Sequence, residues 1–122
     1  EGDLDGGAGL REMQGEDGGY SLYPGYESGV LETALALRAW AISGQGDLGS
    51  MADAAAFLEA NQGEDGGFGH HYNDPSVTVT AEALLAFGRV DQLLDVGLAM
   101  EGAAAWLVAA HGVGGGQGVA KP

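Results

Sequence analysis

The sequence predicts an all-α protein assembled from helical hairpins. Two observations carry this: a repeat of about 48 residues, and four apolar stretches of helical length separated by glycine-rich turns. Gln14-Gly15-Glu16-Asp17-Gly18-Gly19-Tyr20 returns as Gln62-Gly63-Glu64-Asp65-Gly66-Gly67-Phe68, with only the aromatic residue exchanged. Thr33-Ala34-Leu35-Ala36-Leu37 returns 47 residues on as Thr80-Ala81-Glu82-Ala83-Leu84. The segment from Met51 to Leu58 returns 49 residues on, from Met100 to Leu107. The drift in offset places single-residue insertions in the loops, where they are tolerated. The chain reads as one unit over 1–122, with repeats at about 14–61 and 62–110 and a degenerate third motif at 106–118.

The first helix is expected from about Gly29 to Ile42, with Ser28 as its N-cap. The second is expected from about Met51 to Asn61, with Ser50 and Asp53 spaced as in a capping box and Gly63 past its end. Asp74-Pro75 reads as a cap followed by proline at the first helical position, opening a third helix that runs to about Val90. Val77-Thr78-Val79-Thr80 is a β-branched run, but its length and its match to Thr33–Leu37 favour helix over strand. A fourth helix is expected from about Leu98 to Ala110, and residues 7–14 resemble the end of an earlier one. The first helix carries only Glu32 and Arg38 as charges and the fourth only Glu101, so both should be buried on several sides, in two packed helix layers.

At 122 residues the chain is long enough for one core. It begins at Glu1 and stops at Lys121-Pro122 in mid-repeat, which suggests a processed product or a piece of a longer protein, expected to be bacterial or archaeal. A formal charge of −14 argues against nucleic acid and anionic lipid as partners. With no cysteine there are no disulfides and no thiolate metal sites. The longest apolar stretch, Ala103 to Ala110, is far short of the roughly 20 residues that span a bilayer.

Phe57-Leu58, then Gln62, Gly66 and Phe68, resembles the QW motif of the terpenoid-cyclase and prenyltransferase-type α/α-toroid superfamily. The first copy keeps Gln14, Asp17, Gly18, Gly19 and Tyr20 but has Gly9-Leu10 in place of the aromatic-aliphatic pair. The third starts with Trp106-Leu107, then has His111 for Gln, Gly114 for Asp and Gln117 for the aromatic. The resemblance implies a partial α/α-toroid of helical hairpins. The motif residues suit a structural role. Gln14 and Gln62 bring amide groups to unpaired groups at a helix end. Asp17 and Asp65 cap the turns, and Gly18-Gly19 and Gly66-Gly67 allow positive φ. Tyr20 and Phe68 are expected to lie flat against the neighbouring turn.

Enzymes of the superfamily carry further residues. Triterpene cyclases use an acidic DxDD cluster, and Asp3-Leu4-Asp5 lacks its third acid. Protein prenyltransferases hold zinc through Asp, Cys and His, and thioester proteins need a Cys–Gln pair; neither can be built without cysteine. His70-His71-Tyr72-Asn73-Asp74 brings two histidines beside an acid, but adjacent residues seldom reach one ion, so no metal and no cofactor is expected. The loops before the first and third helices are rich in rings, and Tyr20, Tyr23, Tyr26, Phe68, His70, His71 and Tyr72 are the candidate binding residues. The expected function is a non-catalytic toroid-repeat module that scaffolds or binds. The alternative is a fragment of an isoprenoid cyclase or prenyltransferase whose catalytic acids lie outside this segment. Such a ring needs about six hairpins, so the expected partner is the rest of a larger toroid or further copies of the chain, with a trimer as the specific case.

Overall fold

The computed structural model describes residues 13–21, 27–44, 47–71 and 74–114. The protein is all-α. Its helices are α1 (Val30–Ser43), α2 (Leu48–Ala60), α3 (Val77–Val90) and α4 (Gly97–Gly114). Among the described residues β-pairing is confined to isolated bridges, such as Gln14 with Tyr20 and Tyr20 with Gly29. The β-branched run at Val77–Thr80 forms the first turn of α3. No helix among the described residues is long and apolar enough to cross a membrane.

The helices form where expected, but their caps differ. Gly29, not Ser28, is the N-cap of α1, and no side chain caps it. The Ser28 hydroxyl instead donates to Asp17 Oδ1 at 2.9 Å. Helix α2 starts earlier than expected. Asp47 is its cap, accepting from the Ser50 N–H at 3.2 Å and the Ser50 hydroxyl at 3.1 Å. Two cap-competent residues stand three apart there, and the earlier one takes the role while the later one serves it. Helix α3 starts later, with Ser76 as cap accepting from the Val79 N–H at 3.1 Å. Asp74 is not the cap: its N–H bonds the His71 carbonyl at 3.1 Å, and Pro75 lies outside the helix. Gly44 closes α1 in the left-handed region (φ 73°), a glycine helix stop.

Helix α1 packs against α2, α3 against α4, and α1 against α3, so two hairpins are joined through their first helices. The largest fully buried side chains are Trp40, Tyr20, Phe68 and Phe87, followed by Leu37 and Leu58. Burying each such apolar side chain contributes roughly 1.5–3 kcal/mol. At the α1–α3 contact, Arg38 Nη1 donates to Glu82 Oε1 at 2.5 Å, both side chains a little over a quarter exposed. Arg38 Nε is buried there without a hydrogen-bond partner. A half-buried pair satisfied at one nitrogen adds little stability; it fixes which face of α3 meets α1. The all-round apolar character of α1 and α4 is only partly covered, since Leu35, Ile42, Leu98 and Val108 stay exposed.

The aromatic residues of the two repeats change in concert. In the first hairpin the Trp40 indole N–H donates to the Tyr20 hydroxyl at 2.7 Å. In the second, Phe68 meets Phe87, the residue 47 positions after Trp40, with ring centroids 5.9 Å apart and planes tilted by 51°. A polar pair has become an apolar pair without moving either element. Tyr20→Phe removes the acceptor of a buried indole N–H and is expected to cost about 1–3 kcal/mol, measured by urea unfolding.

Candidate functional site: the two repeated turns

The two turns share one set of backbone, aspartate and glutamine bonds. The Gly15 N–H donates to the Gly19 carbonyl at 2.7 Å, and the Gly63 N–H to the Gly67 carbonyl at 2.8 Å. Asp17 Oδ1 accepts from the Gly19 N–H at 2.9 Å, and Asp65 Oδ1 from the Gly67 N–H at 3.0 Å, side-chain-capped turns in both cases. The Tyr20 and Phe68 N–H groups each donate 2.8 Å to a buried threonine hydroxyl, Thr33 and Thr80. The Tyr20 carbonyl accepts from the Gly29 N–H, and the Phe68 carbonyl from the Ser76 N–H.

Each turn is also bolted to the second helix of the hairpin that follows it. Gln14 Nε2 donates to its own turn at Gly18 O (3.0 Å) and to Ser50 O in the first turn of α2 (3.0 Å). Gln62 Nε2 does the same with Gly66 O (2.9 Å) and Ala99 O in the first turn of α4 (3.0 Å). The glutamines were expected to serve unpaired groups at a helix end. Each bonds one carbonyl of its own turn and one in the first turn of the second helix.

The glycines set how close this approach is. Gly18 (φ 88°) and Gly66 (φ 95°) adopt the left-handed region. A Cβ on Gly18 would lie 2.4 Å from the Asp53 carbonyl oxygen of α2, and one on Gly66 would lie 2.2 Å from the Gly102 carbonyl oxygen of α4. Gly19 lies under Phe57 and Gly67 under Trp106, so the aromatic residue of each second helix roofs the preceding turn. Trp106 adds an indole N–H to Asp65 Oδ2 at 3.1 Å; Phe57 has no N–H, and Ser28 partners Asp17 in its place.

The proposed binding residues separate into three groups. Tyr20 and Phe68 are buried at 1% and 0% exposure, turned into the core against Trp40 and Phe87 rather than flat on a neighbouring turn. His70 and His71 are exposed, and among the described residues no three His, Asp or Glu side chains gather to hold an ion. Tyr23, Tyr26 and Tyr72 lie outside the described residues, as do Asp3-Leu4-Asp5, residues 7–12 of the expected earlier helix, and Gln117. Sequence reasoning gave no role to Thr33 and Thr80. The signal was present, because threonine heads the repeated pentad in both copies.

Glu59, in the last turn of α2, is held above its ordinary value by burial and, secondarily, by the charge of Asp95. The folded state therefore keeps that proton to higher pH than the unfolded state. This contribution is fully present below the ordinary carboxylate value and is lost as pH rises through the raised one. Glu59→Gln is expected to melt above the parent at neutral pH, with the gap closing on acidification; thermal melts at both ends of that range check the sign. The chain matches no protein-family model, no curated protein and no solved structure.

Proposed function

We propose that the chain is a non-catalytic α/α-toroid repeat module, a scaffold or binding unit that stacks with the rest of a larger toroid or with further copies of itself. One observation carries this reading. Apart from the exposed Glu16 and Glu64, the residues repeated in both turns serve the packing of the turn and its hairpin: glutamine bonds the second helix, aspartate its own turn, the glycines allow close approach and the aromatic enters the core. Asp17 and Asp65 accept hydrogen bonds at the surface rather than facing an enclosed cavity, which suits a turn and not an acid that protonates substrate. The resemblance of the turns to the QW motif supports the toroid arrangement of the hairpins. His70 and His71, exposed on the loop before α3, are the surface groups through which such a module meets a ligand.

The test offers the full reading frame containing this chain a linear isoprenoid hydrocarbon and an isoprenoid diphosphate, with products read by mass spectrometry. The scaffold reading expects both recovered unchanged, with Asp65→Asn altering melting alone. A cyclised or prenyl-transferred product would establish the cyclase or prenyltransferase alternative.

A further inference from the structure

The α1–α3 contact is the joint between repeats, and each of these helices has a second face that the chain leaves open. A shift of 47 residues maps α1 onto α3, so each residue can be compared with its counterpart. Arg38 and Leu37 of α1 are more covered than their counterparts Leu85 and Leu84 of α3. On the flanking side, Glu82 and Ala86 of α3 are more covered than their counterparts Leu35 and Ala39 of α1. Helix α1 thus uses the Arg38 side to meet α3, and α3 uses the Glu82 side to meet α1. What remains open is the Leu35 side of α1 and the Leu85 side of α3.

The open side of α1 is a groove of about 300 Å³, lined by Met13, Tyr20, Glu32, Leu35, Ala36 and Ala39. On its α3 counterpart Ala83 and Ala86 are buried against the rest of the fold. One residue pair sets the two kinds of face apart. Where the joint inside the chain has Arg38 bonded to Glu82, the open faces have Leu85 and Leu35. Both leucines are about half exposed, at 53% and 46%. A charged pair has become an apolar pair, with both partners changed.

We propose that the groove on α1 takes the open face of α3 from a second copy of the chain, head to tail, with Leu85 of one copy seated against Leu35 of the next. This rests on the reading of the chain as a stacking module and names the register in which it stacks. The second copy is favoured as occupant because the chain's own two open faces match each other and neither matches the inner joint. Leu35 opposite an arginine would strand the charge, as would Leu85 opposite a glutamate. One turn from Leu85 on α3 stand Glu82, already bonded to Arg38, and Arg89, while the groove carries the acid Glu32, so the charges near the contact are few and of both signs. Contacts of this head-to-tail kind build a ring when the rotation closes. Added salt should strengthen the association, because it screens the repulsion between acidic copies and spares an apolar contact.

The test is light scattering of the 122-residue chain at physiological and raised salt, for the parent, Leu85→Arg, Leu35→Glu and the double variant. The parent is expected to associate. Each single variant should be a monomer with unchanged helix content, since both positions are at the surface, and should melt as the parent does at dilutions where it dissociates. The double variant should associate again, because it places between copies the Arg–Glu pair that joins the repeats within one. A monomeric parent would overturn the proposal and assign the groove to a repeat on the same polypeptide or to another protein. Association that survives Leu85→Arg, or a double variant that stays monomeric, would overturn the register while leaving the scaffold reading intact. Isoprenoid turnover would overturn the scaffold reading and leave the interface standing.

Discussion

Phe68→Ala is expected to destabilise the chain by about 3–5 kcal/mol, the range for truncating a fully buried aromatic ring. Phe68 is 0% exposed, packs on Phe87, and sits where its backbone N–H and carbonyl both meet the start of α3. The alanine variant keeps those backbone bonds and loses the ring, so the cost reads the packing alone. Folded domains are stable by only about 5–15 kcal/mol in total, so a loss of this size is severe. His71→Ala, three residues on and exposed, should change stability by less than about 0.5 kcal/mol. Urea unfolding of the two variants beside the parent checks both values. A Phe68 variant as stable as the parent would mean that the second turn is not part of the core.

Gly66→Ala should be nearly as damaging, for a different reason. At φ 95° an L side chain is strained by roughly 1–2 kcal/mol. Its Cβ would also stand 2.2 Å from the Gly102 carbonyl oxygen, a backbone atom inside α4 that cannot swing aside. The turn would have to lift from α4, and the Gln62 bond to Ala99 O would go with it. Gly44→Ala is the control. Gly44 also has positive φ, at 73°, but an added Cβ there meets nothing within 4 Å. Subtracting the Gly44→Ala cost from that of Gly66→Ala, both from thermal melting, isolates the value of docking the turn on the next hairpin. Equal costs would mean the turn does not bear on α4.

The repeat made most of this architecture readable in advance. Offsets of 47 to 49 residues placed four helices and two equivalent turns, because every copy must bury the same face against the same neighbour. Cap positions were less legible. Ser28, Ser50 and Asp74 are all competent caps by residue type, yet each is engaged otherwise: with Asp17, with Asp47 and with the His71 carbonyl. The residue that does precede each first helix, Gly29 or Ser76, is fixed by its backbone bond to Tyr20 or Phe68, and local propensity does not register so distant a partner. The site shows the same division. Asp17, Gly18, Gly66 and Asp65 announced their turns by chemistry, whereas the targets of Gln14 and Gln62 lie 36 and 37 residues away on the next second helix. Tyr20 and Phe68 read equally as binding rings or core rings, and only three-dimensional burial separates the two.

The central claim is that the turns are integral to the core, joining hairpin to hairpin, and native-state hydrogen exchange tests it most directly. The Tyr20 and Phe68 amides, bonded to buried threonine hydroxyls, should exchange only through global unfolding, at the same free energy as the amides of Leu37 in α1 and Ala83 in α3. Amides at Tyr20 and Phe68 that exchange as fast as those of a solvated loop, while α1 and α3 stay protected, would contradict it.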